Sequence, residues 1–295
     1  MMELSSYIFD RLKKIDECLS SVIEEKKSQP HASLFEAARY SLLSRAKRLR
    51  PLLAIATAES FGASFELALL PACALEVLHT YSLIHDDLPC MDDDDLRRGR
   101  PTLHKVYGDG HAVLTGDFLL TFAFEILSMS PGLDAEQKIE LVSVLAKRAG
   151  ADGMVGGQVV DLICEGKQTD WQTLQFIHKH KTAALFAAAF EFGAIIAKAS
   201  CEDRSKLKLI GEEIGLSFQI IDDILDETST ESELGKPIRS DLTNDKSTAI
   251  SVLGLEKAKD LSHELLASAQ ARCSTLSVPA QLLQDLIHST AHRKF

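Results

Sequence analysis

Six of the ten residues from Asp86 to Asp95 are aspartate. Two unit charges about 6 Å apart repel by roughly 3 kcal/mol at an effective dielectric near 20, so water or cations must neutralise such a segment. It follows an apolar stretch, Val77 to Ile84, and runs straight into Leu96-Arg97-Arg98-Gly99-Arg100. Hard carboxylate oxygens suit Mg²⁺, which is commonly held by one or two carboxylates together with substrate phosphates. Adjacent arginines suit the same phosphates through bidentate hydrogen bonds. An acidic run by itself is more often a solvated helix end. With three arginines beside it, the pattern describes a diphosphate site.

A second cluster lies far downstream, in Phe218-Gln219-Ile220-Ile221-Asp222-Asp223-Ile224-Leu225-Asp226. Asp222 and Asp226 stand at i and i+4, so they share one face of a helix. Two such clusters on separate apolar helices are far more specific than either alone. Facing each other, they can grip one diphosphate from two sides through bridging Mg²⁺. Basic residues supply the rest. Lys47, Arg48 and Arg50 form one patch, Lys181-Thr182 opens an Ala-rich helix, and Lys236 and Lys246 flank a polar stretch. Each lysine taken singly reads as a solvated surface residue, and His79 and His85 read as satisfied core histidines.

The elements that must position these groups are helices. The 295 residues include only 16 Gly and 8 Pro, and many Ala and Leu favour helix. Ile8, Leu12, Ile15, Leu19 and Ile23 make one apolar stripe that Ser28 to His31, with Pro30, brings to an end. A helix runs from about Leu34 toward Arg45, Pro51 opens the next, and Phe61-Gly62 stops it. A long apolar helix covers Phe65 to about Asp87, and Leu207, Ile210, Ile214, Phe218, Ile221 and Leu225 form another stripe. The only β-like run is Gln158-Val159-Val160, and Gly156-Gly157 before it reads as a turn. Residues 228–245 read as a loop between helices. Asp86 and Asp92 are six apart with Pro89 between them, which is not one face of a regular helix. A bulge or helix end must therefore bring Asp92 back toward Asp86. The expectation is an all-α fold, one domain over 1–295 with about ten or more helices.

Composition narrows the function. With 45% hydrophobic and 25% charged residues, bulk disorder is excluded, and a chain this long needs no disulfide or metal staple to fold. A net charge of −11 argues against a nucleic-acid partner. Met1 to Asp16 carries three acids and no apolar core, unlike a signal peptide. Thr182 to Ala199 is the most apolar stretch, but Glu191 interrupts it and it reads as a buried helix, so no transmembrane segment is expected. The six cysteines lie far apart without a CxxC pair, which fits a reducing cytoplasm.

These motifs together resemble the trans-isoprenyl diphosphate synthases, most closely the bacterial farnesyl type. The resemblance runs from about residue 40 to 250. It is carried by Lys47-Arg48-Leu49-Arg50-Pro51, His79 to Asp87, Asp86-Asp87-x4-Asp92 running into Arg97-Arg98-Gly99, and Gly116-Asp117. Gly156-Gly157-Gln158 with Asp161, Lys181-Thr182, Phe218-Gln219 with Asp222-Asp223-x-x-Asp226, Leu234-Gly235-Lys236 and Asp245-Lys246-Ser247-Thr248 complete the order. The resemblance implies helices around a deep central cavity and a homodimer. It implies Mg²⁺ held by Asp86, Asp87 and Asp92 on one side and by Asp222, Asp223 and Asp226 on the other. Lys47, Arg50, His79 and Arg98 match positions that bind isopentenyl diphosphate, and Arg97, Lys181, Thr182, Gln219 and Lys236 match positions around the allylic diphosphate. Asp86, Asp92, Asp222, Arg97, Lys181 and Lys236 would carry catalysis. Arg45 and Ala46 stand where the family usually has two glycines before the lysine, a departure that bears on the isopentenyl pocket.

In such enzymes bulk just upstream of the first acidic motif limits the growing chain. Tyr81 and Ser82 occupy those positions, and an aromatic there resembles C15 producers. The expected product is farnesyl diphosphate, with geranylgeranyl diphosphate as the alternative. A non-catalytic synthase-like partner subunit is a further alternative, which the presence of both aspartate motifs disfavours. An α-helical metal-dependent phosphohydrolase would need more metal-binding histidines, and a terpene cyclase would leave the isopentenyl-binding basic residues without a purpose.

Overall fold

The computed structural model describes residues 4–24, 28–228 and 246–291. Helices α1 (Leu4–Val22), α2 (Ala32–Leu42), α3 (Leu49–Ser60) and α4 (Phe65–Asp86) come first, followed by a hairpin of two-residue strands, β1 (Leu96–Arg97) and β2 (Arg100–Pro101). Next are α5 (Leu103–Tyr107), α6 (Asp109–Met129), α7 (Ala135–Ala149), α8 (Met154–Cys164) and α9 (Trp171–Ile177). A π-helical turn, His178–Ala183, joins α9 to α10 (Ala184–Ile196), and α11 (Cys201–Thr228), α12 (Ala249–Leu253), α13 (Leu255–Cys273) and α14 (Gln281–Ala291) complete the described chain. The fold is all-α, as the periodicity requires. Of the polar stretch at 228–245, Thr228 closes α11 and the remainder, Lys236 included, lies outside the described residues.

The Ala-rich helix α10 is the centre. It packs against α3, α4, α7 and α11, because its many alanines let neighbouring backbones come close. Phe186, Phe190 and Phe192 on it are fully buried, each contributing about 1.5–3 kcal/mol of transfer free energy. The last carbonyls of α10 would otherwise be orphaned. Gln137 donates its amide to Ile195 O at 3.1 Å and Ile196 O at 3.0 Å, while Asp134 and Gln137 form a capping box that starts α7.

Two sequence expectations are corrected. Gly156 and Gly157 do not turn the chain; they lie inside α8, as does Gln158-Val159-Val160. A hairpin absent from the sequence reading stands at Leu96–Pro101. By length and apolarity, α4 and α6 could each cross a membrane. In α4, 67% of the apolar window is buried inside the protein; in α6 only 39% is, and Val113, Leu114 and Met129 stay exposed.

The basic patch also divides. Arg48 has a left-handed backbone, φ 47°, and turns inward, 3% exposed. Its Nη1 donates to Glu76 Oε1 at 2.7 Å, Nη2 to the Leu42 and Ser44 carbonyls, and Nε to Asp16 Oδ1 at 3.0 Å. One guanidinium thus ties α1, the end of α2, the start of α3 and α4. Losing one partner of a buried ion pair leaves an uncompensated charge, worth about 3–5 kcal/mol. Arg48→Ala should lower stability by that amount in chemical denaturation, and the paired Arg48→Met, Glu76→Leu variant should lose less.

Candidate active site

The first acidic cluster forms where α4 ends. Asp86 is its last residue, and Pro89 lacks the N–H to continue the ladder. The chain folds back instead: the Asp92 N–H donates to the Asp86 carbonyl at 2.9 Å, and the Met91 and Asp93 N–H groups both donate to Leu88 O. The return of Asp92 toward Asp86 is therefore fixed by backbone hydrogen bonding. The hairpin that follows turns on Arg98 and Gly99, with φ of 56° and 74°, the positive pair that a two-residue type I′ turn demands. Arg97 Nε donates to Asp87 Oδ1 at 2.8 Å, and its Nη2 donates to Asp94 Oδ2 at 2.9 Å. Arg98 Nη1 donates to Ser44 Oγ at 3.1 Å.

The second cluster is held from the other side. The π-turn carries Lys181 and Thr182. Thr182 Oγ1 donates to Gln219 Oε1 at 2.8 Å, Gln219 Nε2 donates to Asp223 Oδ1 at 2.9 Å, and Asp223 Oδ2 accepts the Ala249 N–H at 2.7 Å. The chain of bonds fixes the π-turn, α11 and the start of α12 in one arrangement. It also engages both Asp223 oxygens with protein donors.

Both clusters line one cavity of about 790 Å³. Asp86 and Asp92 stand on its wall with Asp222 and Asp223, and with Arg50, His79, Arg97, Arg98, Lys181, Thr182 and Gln219. Its apolar wall includes Tyr81, Met154, Leu174, Leu185 and Phe218, with Ser82 beside them. Lys47 is exposed and stands outside this lining. Asp87, 3% exposed and bound to Arg97, is outside it as well, as is the buried Asp226.

Burial and neighbouring charge set the protonation states. Burial pushes Asp86 above the ordinary carboxylate range, and Asp92 adds to this while Lys181, Arg97 and Lys246 oppose it. Burial pushes Asp87 up to about 6 against the pull of Arg97. Burial disfavours the charge on Lys181, yet Asp86, Asp161 and Asp92 hold its pKa above the usual value. Burial, reinforced by Arg50, Arg98, Arg97 and Arg48, keeps His79 well below the usual imidazole range, so it acts as a neutral hydrogen-bonding group.

Lys246, Asp161 and His178 line the cavity without having been among the predicted site residues. Lys246 Nζ lies 2.7 Å from Asp92 Oδ1 and 3.9 Å from both Asp161 Oδ2 and Glu165 Oε1. Asp161 Oδ2 accepts Lys181 Nζ at 2.7 Å. His178 is buried, with Nε2 3.6 Å from Asp223 Oδ2, and burial pushes its pKa down to about 4. Lys246 and Asp161 were visible as members of the resembling motifs; nothing in the local pattern singled out His178.

The donor set fits a divalent cation of a particular kind. Among the described residues, no group of three or more metal-ligating side chains is close enough to hold an ion unaided. Carboxylates spread around one cavity fit Mg²⁺ that is held by one or two of them and completed by substrate phosphate and water.

Residues 31–284 match the Polyprenyl synthetase family. The chain is 45% identical over 293 residues to the farnesyl diphosphate synthase of Bacillus subtilis, spanning 99% of this chain and 98% of that protein. It is 47% identical over 270 residues to the chloroplastic geranylgeranyl pyrophosphate synthase 7 of Arabidopsis thaliana, covering 90% of this chain and 77% of that protein. The crystal structure of a geranyltransferase from Helicobacter pylori, complexed with magnesium and isoprenyl diphosphate, superposes with a TM-score of 0.84 at 32% identity, over 98% of this chain and 97% of that one.

The glycines of α8 generate a test of how the site is held. A Cβ on Gly157 would lie 2.3 Å from the Lys181 backbone nitrogen and 2.9 Å from the His180 carbonyl carbon. Gly157→Ala should force α8 and the π-turn apart, separating Asp161 from Lys181. A displacement of about 1 Å at a catalytic group can cost about 10²-fold, so kcat should fall on that order. The folded state, followed by circular dichroism, should persist with a lower Tm.

Proposed function

Because the chain belongs to the polyprenyl synthetase family, we propose that it joins isopentenyl diphosphate head to tail to dimethylallyl or geranyl diphosphate, releasing farnesyl diphosphate and pyrophosphate. At the broader level it is a short-chain trans-prenyltransferase. The observation that carries the reading is the single cavity on which Asp86, Asp92 and Asp222 meet Arg97, Lys181 and an apolar wall.

Asp86 and Asp92 on one side and Asp222 on the other would hold Mg²⁺, with Asp87, Asp223 and Asp226 supporting them. Mg²⁺, when bound, neutralises diphosphate charge and stabilises the leaving group. Arg97, Lys181, Thr182 and Gln219 orient the allylic diphosphate, joined by Lys236 on the strength of its motif. They place positive charge where negative charge grows on the departing pyrophosphate. Arg50, His79 and Arg98, joined by Lys47 on the strength of its motif, seat isopentenyl diphosphate so that its double bond can attack the allylic carbocation. A proton then leaves, with the released pyrophosphate as acceptor. The apolar wall keeps water from the cation.

Tyr81 supports a C15 limit. It lines the cavity and is 6% exposed, and burial, with Asp86 close by, pushes its phenol up to about 12, so the ring meets the chain as an uncharged wall. Geranylgeranyl diphosphate is the alternative product, favoured by the similarity to the Arabidopsis enzyme. A core running from Tyr7 to Ile287 supports one domain over residues 1–295. Six free thiols support a reducing, cytoplasmic setting. The exposed apolar side chains Val113, Leu114 and Met129 of α6, with Ile139 of α7, support a homodimer that covers them instead of a membrane span.

Purified protein given Mg²⁺, isopentenyl diphosphate and dimethylallyl diphosphate should release pyrophosphate and a C15 chain, and EDTA should abolish turnover. Orthophosphate release or no product would overturn the reading, and a C20 product would select the alternative. Tyr81→Ala should lengthen the products in chromatography. Leu114→Asp should shift a dimer toward monomer in sedimentation velocity, because burying an unpaired charge at an interface costs several kcal/mol.

A further inference from the structure

We propose that His85 is a positioning residue for product length: it holds the Tyr81 ring in place on the cavity wall, and α6 holds His85. The inference rests on the Tyr81 reading above. Tyr81 and His85 stand at i and i+4 on α4, and both line the cavity. Their rings meet edge to face, with centroids 5.6 Å apart and planes at 87°. That geometry pairs the positive edge of one ring with the negative face of the other. It adds a directional contact to the Tyr81 ring, which is packed in the core at 6% exposure and borders the open space of the cavity.

His85 is itself fixed from α6. Its Nε2 lies 3.0 Å from the Val113 carbonyl oxygen. A carbonyl can only accept, so Nε2 carries the hydrogen and donates it. The imidazole also lies directly over Gly116, where a Cβ would come within 2.1 Å of Nε2, 2.4 Å of Cδ2 and 2.9 Å of Cε1. Only glycine leaves room for the ring in this pose. Val113, Gly116, His85 and Tyr81 therefore form a line of contacts from the outer helix to the cavity wall. His85 also precedes Asp86, so a substitution on α4 alone would confuse ring support with disturbance of the acidic cluster. Gly116→Ala displaces the same imidazole from α6 and leaves α4 unchanged in sequence.

The test compares product lengths, with isopentenyl diphosphate in excess, for the unaltered protein, Tyr81→Ala, His85→Ala, His85→Gln, Gly116→Ala and the Tyr81→Ala, His85→Ala pair. His85→Ala and Gly116→Ala should each raise the ratio of longer to normal product by about two- to tenfold, the range that follows from losing one edge-to-face contact. His85→Gln keeps a donor for Val113 without the ring and should fall between His85→Ala and the unaltered protein. In the Tyr81→Ala background, His85→Ala should add nothing, because its effect travels through the phenol ring. If Tyr81→Ala lengthens products while both His85→Ala and Gly116→Ala leave them unchanged, the inference is overturned and the Tyr81 reading stands. An additive effect in the pair also overturns it. If Tyr81→Ala changes nothing, the Tyr81 reading falls and takes this inference with it.

Discussion

Carboxylates can be crowded around one cavity only when positive charge is interleaved with them, and the whole site is arranged to meet that condition. Arg97 lies between Asp87 and Asp94. Lys181 pairs with Asp161 and also feels Asp86 and Asp92. Lys246 reaches Asp92, Asp161 and Glu165. These three cations come from the hairpin, the π-turn and the segment leading into α12, so the acidic wall is tolerable only when distant parts of the chain have assembled. The same arrangement matches what a diphosphate needs: cations for its oxygens, and carboxylates for the metal that accompanies it.

The functional groups are delivered by departures from regular structure on a rigid helical frame. Six residues of continuous helix would not put Asp86 and Asp92 together, and the fold-back after α4 does. A π-turn carries Lys181 and Thr182 at the junction of α9 and α10, a common place for such turns to serve function. Arg48, Asp93 and Arg98 all have positive φ, which non-glycine residues adopt only where surrounding contacts impose it. The frame itself, α10 inside a ring of α3, α4, α7 and α11, is ordinary tight packing, and its rigidity is what makes those local departures hold their geometry.

Much of this was legible in the residue order. Apolar periodicity gave the helices, and the need to neutralise two aspartate clusters pointed to one diphosphate site. Pro89 and the six-residue spacing even required the fold-back. What was not legible depends on side chains choosing between inside and outside. Arg48 reads like Lys47 and Arg50 in sequence, yet Glu76 and two carbonyls draw it inward. Gly156-Gly157 looks like a turn, but close approach to the π-turn, not backbone freedom, is what Gly157 supplies. Lys246 and Asp92 are 154 residues apart, and only the folded chain puts them in contact. His178 carries no local signal, because its place beside Asp223 is a property of three-dimensional packing.

The hydrogen bond from the Asp92 N–H to the Asp86 carbonyl has an evolutionary corollary. It closes a ring of backbone whose size is set by the residue count between its ends. Cys90 is exposed within that ring, so its side chain is free to drift in descendants of this sequence, whereas Pro89 is kept by the missing N–H that ends the helix. A single-codon insertion or deletion is another matter: it would swing Asp92 away from the cavity and unseat the arginine hairpin behind it. Selection on this segment therefore acts on its length more strictly than on the letters in its middle.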